Sequence, residues 1–125
     1  MNTGKKVLIV EDDAEFVEIL RINLESAGFA VHEAADGKDG LRLLFEIKPD
    51  VVLLDLMMPV MSGEEFISVK RRYLTVEDIP IIVMSAREFP MPLDERGAVC
   101  ATLMKPVSFD RIVEIVRDCC DRAPA

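Results

Sequence analysis

Short apolar runs alternate along this chain with stretches of helical periodicity, and that alternation limits the fold more than any other feature. Val7-Leu8-Ile9-Val10, Val51-Val52-Leu53-Leu54 and Ile81-Ile82-Val83-Met84 are too short for helices and too apolar for a surface. They read as strands buried on both faces, the kind that parallel sheets use. Ala30 to Ala34 and Ala101 to Met104 read as two more strands, the former weakened by His32 and Glu33.

The intervening segments carry helix signals. From Ala14 to about Ala27, the residues Phe16, Val17, Leu20, Leu24 and Ala27 recur at helical spacing. Asp13 suits the N-cap and Gly28 the stop. A second helix opens at Asp36-Gly37 and ends near Lys48, before Pro49, with Leu41, Leu44, Phe45 and Ile47 on its apolar face. A third spans Gly63 to about Tyr73, with Phe66, Ile67 and Val69 inward. Ser108 caps a last helix whose apolar residues are Ile112, Val113, Ile115 and Val116. The stretch Glu88-Phe89-Pro90-Met91-Pro92 cannot lie inside a regular helix, because proline lacks an N–H and clashes with the preceding turn. It leaves room for a short helix from near Leu93 to near Gly97.

Strands alternating with helices predict an α/β fold: a doubly wound, five-stranded parallel sheet covered on both faces. At 125 residues, without repeats or composition shifts, the chain suits one domain over 1–125, with 121–125 as a frayed tail or linker stub.

The strand ends carry the chemistry. In such a sheet, ligands bind outside the carboxyl edge. The first run ends in Glu11-Asp12-Asp13, the third in Asp55, the fourth in Ser85-Ala86 and the fifth in Lys105-Pro106. An acidic run after a strand is often only a helix cap facing water, and a lone Ser or Lys there is ordinary. Four strand ends carrying complementary groups at one rim are not. Clustered carboxylates need raised pKa values or a cation, and an oxygen-only donor set favours Mg²⁺. An aspartate can attack phosphorus to form an acyl phosphate, provided cations neutralise the transferring group. Mg²⁺, the Lys105 ammonium and the Ser85 hydroxyl would meet that need, and small Ala86 leaves space.

Other features narrow the partners. The formal net charge is −8, which disfavours direct nucleic-acid binding. No apolar run approaches the roughly 20 residues of a membrane span. The N-terminus lacks signal-peptide features, and Cys100, Cys119 and Cys120 lack metal-ligand spacing. Together these predict a reducing, cytoplasmic setting.

These motifs resemble the receiver domain of two-component response regulators from Lys6 to about Arg117. The resemblance rests on Val7 to Asp13, Val52 to Pro59, Met61-Ser62-Gly63, Val83 to Ala86 and Lys105-Pro106. It implies a flavodoxin-like sheet of strand order 2-1-3-4-5. It implies Asp55 as phosphoacceptor, with Ser85 as the switch hydroxyl and Lys105 as the phosphoryl partner. Asp12, Asp55 and the Met57 carbonyl would bind Mg²⁺ directly, and Glu11 through a water. The Lys105-Pro106 peptide bond would be cis. The phosphodonor would be a sensor histidine kinase or a histidine phosphotransfer protein. The output would be a downstream protein or effector domain, with a phosphorylation-dependent homodimer possible. Such a domain catalyses only its own phosphorylation and dephosphorylation, and is not an enzyme on an external substrate.

The chain also departs from the family pattern. Thr102 stands at the usual aromatic switch position, three residues before the lysine. Pro90 and Pro92 interrupt the fourth helix, which is expected to be short or irregular, and with it the usual dimer face. Met57 and Arg87 flank the site and would shield an acyl phosphate from water. Two other classes compete. A receiver-like interaction module would signal without phosphorylation. A haloacid-dehalogenase-type phosphatase wants an acid two residues after the nucleophile, where this chain has Met57. A dinucleotide site is disfavoured because no G-x-G-x-x-G follows the first strand.

Overall fold

A computed structural model describes residues 3–56, 65–67, 78–86 and 99–122. The elements run β1 (Lys6–Val10), α1 (Ala14–Ser26), β2 (Ala30–Ala34), α2 (Gly37–Ile47), β3 (Val51–Asp55), β4 (Ile81–Ser85), β5 (Val99–Met104) and α3 (Phe109–Arg122). The five strands form one sheet in the order β2-β1-β3-β4-β5, with every neighbouring pair parallel. This is the predicted doubly wound arrangement. Residues 65–67 are helical, within the expected third helix.

The sheet works because its central strands are apolar on both faces. Successive side chains of a strand point to opposite sides. Val7, Ile9, Val51, Leu53, Ile82 and Met84 therefore pack on one side with α1 and α3, through Leu20, Leu24, Ile112 and Val116. Leu8, Val10, Val52, Leu54, Ile81 and Val83 pack on the other, against Leu44 of α2 and against Phe66 and Ile67. All five residues of β3 and all five of β4 are buried. The edge strand β5 differs: Thr102 and Met104 are exposed, and its register against β4 shifts between Ile81 and Ile82.

The caps follow the sequence. The Phe16 N–H donates to Asp13 Oδ1 at 3.2 Å, the Asp39 N–H to Asp36 Oδ1 at 2.8 Å, and the Arg111 N–H to Ser108 Oγ at 3.1 Å. Gly40 lets α2 approach β1 closely, since a Cβ there would lie 2.9 Å from Val10 Cγ2.

Several expectations need correction. Phe45 is exposed, and Leu43 packs in its place, because α2 turns that flank toward the core. α3 continues through Arg122, so the first two residues of the expected frayed tail are helical. The cysteines are not all free. Cys100 of β5 and Cys119 of α3 form a disulfide, while Cys120 is a buried thiol. Their sequence separation of 19 carries no pairing signal; β5 and α3 bring their Cα atoms to 6.1 Å. The expected irregular fourth helix, with Pro90 and Pro92, lies outside the described residues, as do Met57 and Arg87. No helix among the described residues is long and apolar enough to cross a membrane.

Candidate functional site

The parallel register carries β1, β3, β4 and β5 to one carboxyl edge. Asp55 stands opposite Met84 and Ser85 opposite Met104. The rim is tied by backbone bonds: Leu56 N–H to Met84 O at 3.1 Å, Lys105 N–H to Ser85 O at 2.7 Å, and Glu11 N–H to Ala34 O at 3.0 Å. Glu11, Asp55 and Ser85 are the buried polar residues among those described, at 3%, 6% and 2% exposure. Burial at this level selects against polar groups without a task or a partner.

Glu11 is the hub. One carboxylate oxygen, Oε2, accepts the Asp12 N–H at 3.0 Å and the Asp13 N–H at 3.5 Å. The other, Oε1, pairs with the Lys105 ammonium. Burial raises the Glu11 pKa most, the hydrogen-bonded Asp55 carboxyl raises it further, and Lys105 opposes both. Asp12 is pushed the same way, first by desolvation and then by its hydrogen bond with Glu11. Asp12 is exposed as a residue, so its desolvation is local, on the side that leans into the cluster. Burial first and neighbouring carboxyls second thus disfavour the charged forms of Glu11 and Asp12, and a cation would offset both.

The cluster fits a hard divalent ion. Glu11, Asp12 and Asp55 offer carboxylate oxygens that all lie within 4.8 Å of one another. Oxygen donors around a partly exposed position suit Mg²⁺, which keeps several waters and takes one or two carboxylates. Met57, the fourth expected ligand, lies outside the described residues. The other predicted groups converge as expected. Lys105 reaches the acidic cluster, Ser85 ends the strand beside Asp55, and the Lys105-Pro106 bond is cis. The Asp13 carboxylate caps α1 and is not one of the three clustered acids, although the Asp13 N–H donates to Glu11. Sequence reasoning missed one contact: the Lys105 ammonium lies 4.5 Å from the centroid of the Phe16 ring. Residues 16 and 105 lie on separate elements, so no local pattern announces it.

Residues 7–117 match the family model of the response regulator receiver domain. Solved structures agree over nearly the whole length. The receiver domain of the Francisella response regulator 1452 is 26% identical, with a TM-score of 0.85 over 96% of this chain and 99% of that one. The Vibrio cholerae chemotaxis protein CheY4 is 28% identical, with a TM-score of 0.81 over 91% and 97%. The Thermotoga maritima response regulator TrrA, solved in complex with Mg²⁺-BeF, is 28% identical, with a TM-score of 0.80 over 92% and 98%.

Proposed function

The chain belongs to the response regulator receiver family, and from that premise we propose that it is a phosphorylation switch with Asp55 as the acceptor. The observation that carries this is the juxtaposition of the Glu11, Asp12 and Asp55 carboxylates with the Lys105 ammonium at one sheet edge.

A phosphohistidine on a sensor kinase or phosphotransfer protein would supply the group. An Asp55 carboxylate oxygen attacks phosphorus as the P–N bond breaks, and the electron pair leaves on the imidazole, which takes up a proton. Glu11, Asp12 and Asp55 would hold Mg²⁺, with the Met57 carbonyl as a further ligand. When bound, the ion offsets negative charge on the phosphoryl oxygens. Lys105 would turn from Glu11 toward one such oxygen. The Ser85 hydroxyl would hydrogen-bond another. TrrA's Mg²⁺-BeF complex supports a ligand of this class here. The 1–125 chain would act as one receiver unit. Its output would be altered binding of a downstream protein, effector domain or second copy of itself.

Acetyl phosphate and Mg²⁺ test this by intact mass. We expect one phosphate adduct on the wild type and none on Asp55→Asn. A wild-type chain that takes no phosphate would instead favour an interaction module that works unphosphorylated.

A further inference from the structure

The chemistry proposed for Asp55 needs Lys105 in a narrow position, yet lysine is a flexible point charge on a four-carbon stem. Its carboxylate partner, Glu11, belongs to the acidic cluster. Something else has to keep the ammonium at the rim when that partner is given up.

Phe16 is placed to do this. Its ring lies under the ammonium at 4.5 Å from centroid to Nζ, within cation–π range. The ring is itself held from two sides. The Asp13 cap fixes the first turn of α1 through the Phe16 N–H. Phe109, the first residue of α3, packs on the ring with centroids 5.4 Å apart and planes tilted by 40°. Phe16 and Phe109 are both half-buried, so solvent only partly weakens the contact.

Resting on the phosphoacceptor reading above, we propose that Phe16 is a positioning residue for Lys105. Its ring face holds the ammonium at the rim while leaving it free to exchange Glu11 for a phosphoryl oxygen. An aromatic face suits this task better than another carboxylate. It attracts the cation without adding negative charge beside the incoming phosphate. It also imposes no fixed donor direction, so the N–H groups can turn from Glu11 to the new acceptor. Asp13, whose carboxylate is not one of the clustered acids, gains a purpose as the cap that sets the ring.

The test compares the full chain with Phe16→Leu, which keeps the bulk, and Phe16→Tyr, which keeps the face. Initial rates of adduct formation with acetyl phosphate and Mg²⁺ are read by intact mass, and Mg²⁺ affinity by calorimetry. We expect Phe16→Leu to be slower by about two- to fivefold, the range of a partly exposed cation–π contact. Phe16→Tyr should recover most of that loss, and Mg²⁺ affinity should stay the same in all three. Independently, the Lys105 ε-methylene protons should be shifted upfield by the ring in the wild type and in Phe16→Tyr, but not in Phe16→Leu. Equal slowing in both variants, or an unshifted Lys105 signal in the wild type, would overturn the proposal. A wild type that takes no phosphate would overturn the phosphoacceptor reading alone, because the Lys105 signal still reports whether Phe16 holds the lysine.

Discussion

Strands β3 and β5 lie in the same sheet, two positions apart, and differ in what holds them. β3 is buried along its whole length and ends in Asp55. β5 is the edge: Thr102 and Met104 face out, its register against β4 shifts once, and a disulfide ties it to α3. Yet both deliver a charged residue to the same rim. The central strand positions its acid through core packing, which leaves one register open to it. The edge strand, packed on fewer sides, positions its lysine with help from bonds beyond the core: the cysteine pair, the ion pair with Glu11 and the Phe16 ring.

The sharpest break of this contrast is truncation inside each strand. Leu53→Ala should cost about 2–5 kcal/mol, because Leu53 is fully buried and its cavity cannot collapse easily. Met104→Ala in β5 should cost under about 0.5 kcal/mol, since that side chain is 54% exposed. Urea unfolding of both variants checks this. Equal losses would mean that β5 is as core-held as β3.

The next largest effect concerns the disulfide. The loop it closes is short, and such a link is worth roughly 3 kcal/mol. Reductant should therefore lower the midpoint of urea unfolding in the wild type and leave Cys119→Ser unmoved. The adjacent Cys120 is a poor substitute partner. Burial, and then the charge of Asp50, push its thiol up to about 11, so little thiolate forms near neutral pH. A wild type that ignores reductant would leave β5 held by packing alone.

Helix capping gives a smaller effect that links the two regions. Asp13→Ala removes the acceptor for the Phe16 N–H and should cost about 1 kcal/mol. Asp36→Ala at α2 should cost a similar amount. Only the former should also return the Lys105 ε-methylene signal toward its unshifted position, because only α1 carries the ring beneath that lysine. Proton spectra of the two variants, beside their unfolding curves, separate the local cost from the coupling.

The same contrast explains what the sequence made legible. Apolar runs such as Val51 to Leu54 admit one environment, so the strands and the groups at their ends could be read directly, while their order in the sheet came from the resemblance to the receiver family. Asp13, Asp36 and Ser108 were legible for a local reason, since a cap and its target lie three residues apart. The Cys100–Cys119 pair and the Phe16–Lys105 contact were not, because each joins elements that meet only after the sheet is built. Phe45 misled because helical spacing alone does not say which flank of a broad apolar stripe turns inward.

The smallest effect expected is a pH dependence centred on Glu11. Its pKa is raised in the folded chain, first by burial and then by the Asp55 carboxyl. A folded-state pKa above the unfolded value means that the folded chain binds the proton more tightly. The stabilisation is thus complete below the unfolded pKa of about 4.3. It is lost as pH rises through the raised value. Without Mg²⁺, stability from urea unfolding should therefore fall across that window relative to Glu11→Gln, in which the titrating group is gone. Asp12 is shifted in the same direction and should leave a weaker fall in the variant. Added Mg²⁺ should flatten the wild-type curve, because a bound cation offsets the same charge that the proton offsets. A wild-type stability that rises through this window relative to Glu11→Gln would mean that the Lys105 ammonium outweighs burial and the Asp55 carboxyl at Glu11, leaving no cost there for a bound cation to offset.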